Sequence, residues 1–310
     1  MEVVEIKRGA AAGSGPDAAA QSSDGEIARM RRMMGDRFVE HAYASTVLDA
    51  AEHLLTHPSS RDLLGVLLAG PLGAGRSMLA EAIMRRFPFK PASGFEYPQV
   101  PVIRFSLTGA QDPRALCTRA LDAFGDKYEA RGRGDPERRV LRRMGETKTR
   151  LLIADNVHDI YALGEERAKD MLKALQYIVE EGPRRAIYIT DPGTVGWLVS
   201  HDFINVNFSY HELPVWTMGD AYTGMLGLLE RALPLKKSSK LDGTGIAEHI
   251  LRLSGGNTGR LMRIVKNAGV LAIHTGDEAI TKGTLDAATQ PLPMEIVKKL
   301  STGVGTSYQK

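Results

Sequence analysis

The chain has 310 residues, enough for one large domain or two modest ones, and its 43% apolar and 25% charged side chains are the balance of a soluble globular protein. Its single cysteine, Cys117, excludes an internal disulfide and reads as a small core residue, and no apolar stretch is long enough to span a bilayer. The first residues lack the basic and apolar blocks of a signal peptide, which together with the lone thiol predicts a cytoplasmic setting and no membrane contact. Net charge is +3, unevenly placed: residues 127–150 hold nine Lys or Arg against four acids, +5 in that stretch, leaving −2 for the rest. A localised basic segment suits a phosphate backbone better than uniform basicity would.

In chain order, residues 1 to about 24 are rich in Ala, Gly, Ser and Asp without an apolar period, and read as a disordered leader. Amphipathic helices follow over about 26–34 and 43–55, the second ended by His57-Pro58. A strand and a glycine-rich turn then open a helix that runs to about Phe87. Val100–Leu107 reads as a strand, and Asp112-Pro113 starts a helix to Phe124 with a capping carboxylate and a proline at the first helical position. A charged loop over 125–135 leads to a short basic helix over 137–145. Arg150–Asn156 is an apolar strand, 165–180 a helix and Ala186–Thr190 another strand. After Trp216 the pattern is wholly helical, over about 219–232, 242–253, 258–275 and 283–289, with Thr258 as the expected cap of the third of these.

The turn at Gly70-Pro71-Leu72-Gly73-Ala74-Gly75-Arg76-Ser77-Met78 carries the chemistry. It stands between a strand and a helix, with Gly70 and Gly75 at phosphate-loop spacing and Ser77 supplying the hydroxyl. Glycines let backbone N–H groups turn inward around an anion, and the helix start adds unpaired donors and the positive end of its dipole. Arg76 stands where such a loop has lysine; it keeps the charge and can fork onto a phosphate, but it is bulkier. The bland reading is a glycine turn without a ligand. Against it stands Asp155, about 80 residues on, ending an apolar strand as does the aspartate that holds a magnesium ion beside a phosphate loop. Alternating strands and helices predict an α/β parallel sheet with helices on both faces, where Gly73, Asp155 and Thr190 emerge at the carboxyl ends of strands. The scattered histidines show no metal-ligand spacing.

Residues 26–280 resemble the AAA+ ATPases, and within them the TniB/TnsC family of transposition regulators. The phosphate loop, Leu151–His158, Arg37-Phe38-Val39-Glu40-His41, Leu54-Leu55-Thr56-His57-Pro58, Leu213-Pro214-Val215-Trp216 and the stretch Leu229–Lys237 carry the resemblance. It implies binding of ATP with Mg2+, assembly as a ring or filament on duplex DNA, and a transposase and a target-selection protein as partners. It also implies a nucleotide domain (25–215, including N-terminal helices over 25–58) and a helical lid (216–289), lying between the leader (1–24) and a tail (290–310) that Pro291, Pro293 and a polar end mark as mobile. Within it, Gly70 to Met78 hold nucleotide, Ser77 and Asp155 the Mg2+, Thr190 senses the terminal phosphate and Arg260 serves as the lid's sensor. Of the basic segment, Arg131, Arg133, Arg138, Arg139, Arg142 and Arg143 are the candidates for DNA contact.

Three positions depart from the family pattern. The lysine is Arg76; the glutamate that polarises the attacking water is Asn156, and an amide cannot take a proton from water; and Asn207 stands where a neighbour-supplied arginine is expected. The resemblance with these departures implies a nucleotide-binding regulator with weak or absent hydrolysis. A rival reading is an interaction protein that pairs with an active paralogue or a transposase without nucleotide. A third is an active ATPase with Asp159 or Asp191 as base.

Overall fold

The computed structural model describes residues 18–56, 64–92, 94, 96–125 and 135–301. Along these the chain runs α1 (Ala18–Met34), α2 (Ala42–Thr56), β1 (Gly65–Ala69), α3 (Arg76–Arg86), β2 (Val102–Ser106), α4 (Pro113–Ala123), α5 (Pro136–Glu146), β3 (Leu151–Asp155), α6 (His158–Tyr161), α7 (Glu165–Glu181), β4 (Ala186–Thr190), α8 (Val195–Val199), α9 (Asp202–Asn207), β5 (Phe208–Glu212), α10 (Asp220–Ala232), α11 (Thr244–Ser254), α12 (Thr258–His274), α13 (Lys282–Ala287) and α14 (Met294–Ser301). Two compact units result: Tyr43–Pro214, and the described residues up to Ala42 together with those from Val215.

The first unit is a five-stranded sheet in the order β2-β3-β4-β1-β5 with every pair parallel. β1, β3 and β4 are buried along their whole length, which is why they read as unbroken apolar runs rather than alternating ones. One set of alternate residues (Leu67, Leu152, Ala154, Tyr188) joins a core with side chains of α4, α5 and α7. The other set (Leu68, Leu151, Ile153, Ile189) is equally buried. On that side Arg86 of α3 pairs with Glu52 of α2 at 3.6 Å, and Arg150 donates to the Leu55 carbonyl at 3.3 Å. Gly65 has no room for a side chain: a Cβ would lie 2.4 Å from the Phe208 ring and 2.5 Å from the Ala186 carbonyl. The chain leaves β1 for the far edge at β2 but leaves β4 for the opposite edge at β5, so a crevice opens at the carboxyl ends of β1 and β4.

The second unit is all helical, as the sequence pattern after Trp216 predicts. Two expectations change here. The stretch read as a leader is already helical from Ala18, and α1 belongs to the helical unit rather than to the nucleotide domain. The reason is packing: Met30 and Met33 are fully buried in the helical core, and Met33 lies so close to α12 that a Cβ on Gly269 would meet its methyl carbon at 2.3 Å. Arg29 also pairs with Glu278 and donates to the Pro234 carbonyl. The tail from residue 290 is likewise not free throughout. α14 buries Ile296, and Arg31 donates to the Leu300 carbonyl at 3.3 Å.

Cap chemistry follows the sequence at α4, where Asp112 accepts from the Ala115 N–H at 2.7 Å. At α12 the cap is Asn257, accepting from the Arg260 N–H at 3.0 Å, not Thr258. Thr258 instead accepts from the Trp216 indole at 3.0 Å. Both residue types cap well, and Asn257 holds the position because α12 already begins at Thr258.

Candidate phosphate-binding site

The glycine loop follows β1 into the crevice. Gly70 donates to the Thr190 carbonyl at 3.3 Å, and a Cβ on it would lie 3.1 Å from Leu213, so a side chain here would press on Leu213. Gly73 and Gly75 have φ of +81° and +96°, the left-handed region that glycine enters without strain. The first hydrogen bond of α3 is Leu79 N–H to Gly75 at 3.0 Å. No side chain caps this helix, so the N–H groups of Arg76, Ser77 and Met78 lie outside its ladder.

Two side-chain atoms sharpen the picture. Arg76 Nη1 and Thr190 Oγ1 are buried without a hydrogen-bond partner, and Thr190 is fully buried at the end of β4, in register with Ala69. A buried donor left unpaired costs roughly 1–3 kcal/mol. A guanidinium on the first residue of α3, a hydroxyl at the end of β4 and an uncapped helix start lie on segments at the carboxyl end of the sheet, and these donor types suit an oxyanion. The loop residues Gly70 to Met78 therefore fit a nucleotide's phosphates.

Asp155 is buried at the end of β3, beside Ser106 of β2. Its Oδ2 receives Arg104 Nη2 at 2.5 Å and the Ser77 hydroxyl at 3.4 Å, and its Oδ1 receives the Asn156 N–H at 2.9 Å. Arg104 also approaches Glu81 of α3 at 3.7 Å. Ser77 and Asp155 thus come together as a metal pair would, but the carboxylate already meets a full positive charge. This arrangement does not fit the Mg2+ that the sequence suggests. Arg104 is the residue that sequence reasoning missed. Its signal was present: an arginine inside the strand run Val102-Ile103-Arg104-Phe105 needs a carboxylate partner.

Asn156 has a φ of +59°, tolerated by asparagine. Its amide nitrogen donates to Ser106 and Thr108 at 3.0 and 3.1 Å, which fixes the group as a structural donor, not a base. Asn207 closes α9 by donating to the Phe203 carbonyl at 2.8 Å. Of the two alternative bases, Asp191 is engaged, accepting from the Thr194 N–H and hydroxyl, each at 2.9 Å, while Asp159 is a part-exposed carboxylate 3.7 Å from His158. Arg260 stands on the first turn of α12 in the helical unit.

The basic helix α5 is capped by Asp135 and presents Arg138 and Arg142 to solvent. Arg138 pairs with Asp135 at 3.3 Å. Arg139 is half-buried, and Arg143 pairs with Glu146 at 3.3 Å over the Tyr97 ring. Arg131 and Arg133 lie outside the described residues. Cys117 is buried in the sheet core, and burial together with Glu137, Asp135 and Asp112 pushes its thiol up to about 12. Among the described residues no helix is long and apolar enough to cross a membrane, and no group of three or more His, Cys, Asp or Glu could hold a metal ion.

A parallel sheet in this order, with a glycine loop after β1, an aspartate after β3 and a following all-helical unit, defines an AAA+-type α/β fold. Solved structures share it at TM-scores of 0.56–0.58. They include Aeropyrum pernix ORC2 in ADPNP–ADP complexes (15% identity, 87% of this chain, 75% of that one) and A. pernix ORC1 in complex with DNA (16%, 84% and 68%). Drosophila ORC bound to DNA is a third (10%, 93% and 70%). At these identities the likeness is one of fold. The profile described as Bacterial TniB protein matches residues 29–218, more than half of the chain. The chain belongs to the TniB family. No curated protein sequence matches it.

Proposed function

We propose that this chain is a nucleotide-binding regulator of transposition that assembles on duplex DNA and directs a transposase, with a target-selection protein as a further partner. ATP acts here as a structural ligand that is hydrolysed slowly or not at all. The observation that carries this reading is the pairing of an open oxyanion site with a silenced base. Arg76 and Thr190 leave buried donors for phosphate, while Asn156 offers an amide already committed to Ser106 and Thr108. Asn207, bound within its own helix, supplies no guanidinium to a neighbour. Binding without turnover favours long-lived assemblies, because hydrolysis is what ordinarily drives nucleotide-bonded subunits apart. Support for duplex DNA comes from the exposed arginines of α5, from the DNA-bound ORC proteins of the same fold and from the family.

The test is gel filtration and electron microscopy of the full chain with ATP and duplex DNA. The reading expects rings or filaments that persist for hours. A chain that stays monomeric under every condition contradicts it.

A further inference from the structure

The charge on Asp155 is spoken for before any ligand arrives. Its Oδ2 accepts from Arg104 at 2.5 Å and from Ser77 at 3.4 Å, and its Oδ1 from the Asn156 N–H at 2.9 Å. The Asp155 side chain is 3% exposed and that of Arg104 22%. We infer that the Arg104 guanidinium occupies the place on Asp155 where a divalent cation would sit, so that this site takes a nucleotide's phosphates without a metal. The inference rests on the phosphate-binding reading above.

Four physical points support it. A guanidinium is a permanent cation, weakly hydrated, and therefore suited to a buried carboxylate that magnesium would reach only after shedding water. Arg104 is held from both sides, by Asp155 and by Glu81 at 3.7 Å, so it bridges β2, β3 and α3 rather than swinging freely. A second cation against the same oxygen would face it at close range and low dielectric, where like charges repel strongly. Arg76 is a second guanidinium on the loop, and its buried Nη1 without a partner supplies a charge that a phosphate would otherwise share with a metal.

The experiment measures metal and nucleotide separately on the full chain. Mn2+ binding is followed by loss of its free electron-paramagnetic-resonance signal. A fluorescent ATP analogue is titrated with Mg2+ or with EDTA. The wild type is expected to leave free Mn2+ undiminished and to bind the analogue with less than about a twofold change between Mg2+ and EDTA. Arg104→Gln is expected to gain one Mn2+ site that adding Asp155→Asn removes, and Arg104→Lys, which keeps the charge, to gain none. The inference is overturned if wild-type affinity falls tenfold or more in EDTA, or if wild-type Mn2+ binding disappears in Asp155→Asn. It is also overturned if folded Arg104→Gln gains no site. Should the analogue fail to bind any variant while Arg104→Gln gains its Mn2+ site, the phosphate reading falls and the exclusion of metal by Arg104 stands. If Arg104→Gln does not fold, the wild-type arms decide.

Discussion

In the sheet unit, the motif residues leave polar atoms unmatched: Arg76 Nη1 and Thr190 Oγ1 are buried without partners, and α3 starts with no side-chain cap. In the helical unit, residues of equally family-like segments are matched many times over. Trp216 donates its indole to Thr258 and its backbone N–H to Gly256, and meets the edge of His41 at 4.9 Å. Glu230 accepts from the Ser238 hydroxyl and from the N–H groups of Ser239, Lys240 and Leu241, all within 2.9 Å. Burial alone would raise the Glu230 carboxyl, but these four donors hold it below the usual range. The same kind of sequence signal thus marks two kinds of residue. Arg76 and Thr190 keep donor atoms open, and the residues around Trp216 and Glu230 are cross-bonded to one another.

Substitutions at the two kinds of residue should therefore fail differently. The largest effect is expected at Gly256, whose φ is +72° and where a Cβ would lie 2.3 Å from the Trp216 carbonyl. Gly256→Ala combines overpacking with left-handed strain and should cost about 3 kcal/mol in chemical denaturation. A cost below about 0.5 kcal/mol would show that the Trp216 segment is not held as described.

Next comes acid sensitivity. Burial pulls the His41 imidazole down to about 4 from its ordinary 6.5. Between these values the unfolded chain binds a proton that the folded chain refuses. Stability contributed here is whole above pH 6.5 and is lost as pH falls to about 4. The loss amounts to up to about 3 kcal/mol, and denaturation midpoints across that window measure it. His41→Phe, which keeps the ring edge on Trp216, should flatten that limb; an unchanged slope would assign it to other groups.

At Thr190 the expectation reverses. Its buried hydroxyl has no partner, so Thr190→Val should stabilise the ligand-free chain by about 1 kcal/mol yet weaken nucleotide affinity about tenfold. A large stability loss with unchanged affinity would move Thr190 into the cross-bonded class. The smallest effect is expected at the solvent-facing Arg142. Arg142→Ala should leave stability unchanged and reduce the salt slope of DNA binding by about 1. An unaltered slope would remove α5 from the DNA interface.

Legibility in the sequence followed burial. β1, β3 and β4 could be read because a strand covered on both faces is a continuous apolar run, and the glycine loop because its φ values demand glycine. β5 was not legible: Phe208-Ser209-Tyr210-His211-Glu212 is a half-exposed edge strand with mixed polarity. The allegiance of α1 was equally hidden, since an amphipathic stripe shows that a helix is buried but not in which core. α14 rests on one fully buried side chain, Ile296, too little for a periodic signal. Of the site, the placing of the glycine loop, Asp155 and Thr190 at the ends of β1, β3 and β4 was legible. That Arg104 needs a carboxylate could be read, but that Asp155 is its partner could not, because pairing across β2 and β3 is a fact of register that no local pattern encodes.

The central claim is that this site holds ATP and does not consume it. The most direct measurement is to incubate the purified chain with ATP and duplex DNA, isolate the protein and identify its bound nucleotide by mass spectrometry. The account predicts intact triphosphate at about one per chain, with phosphate release no faster than the uncatalysed background. Bound ADP with phosphate released over many turnovers would contradict it, and so would a chain that carries no nucleotide at all.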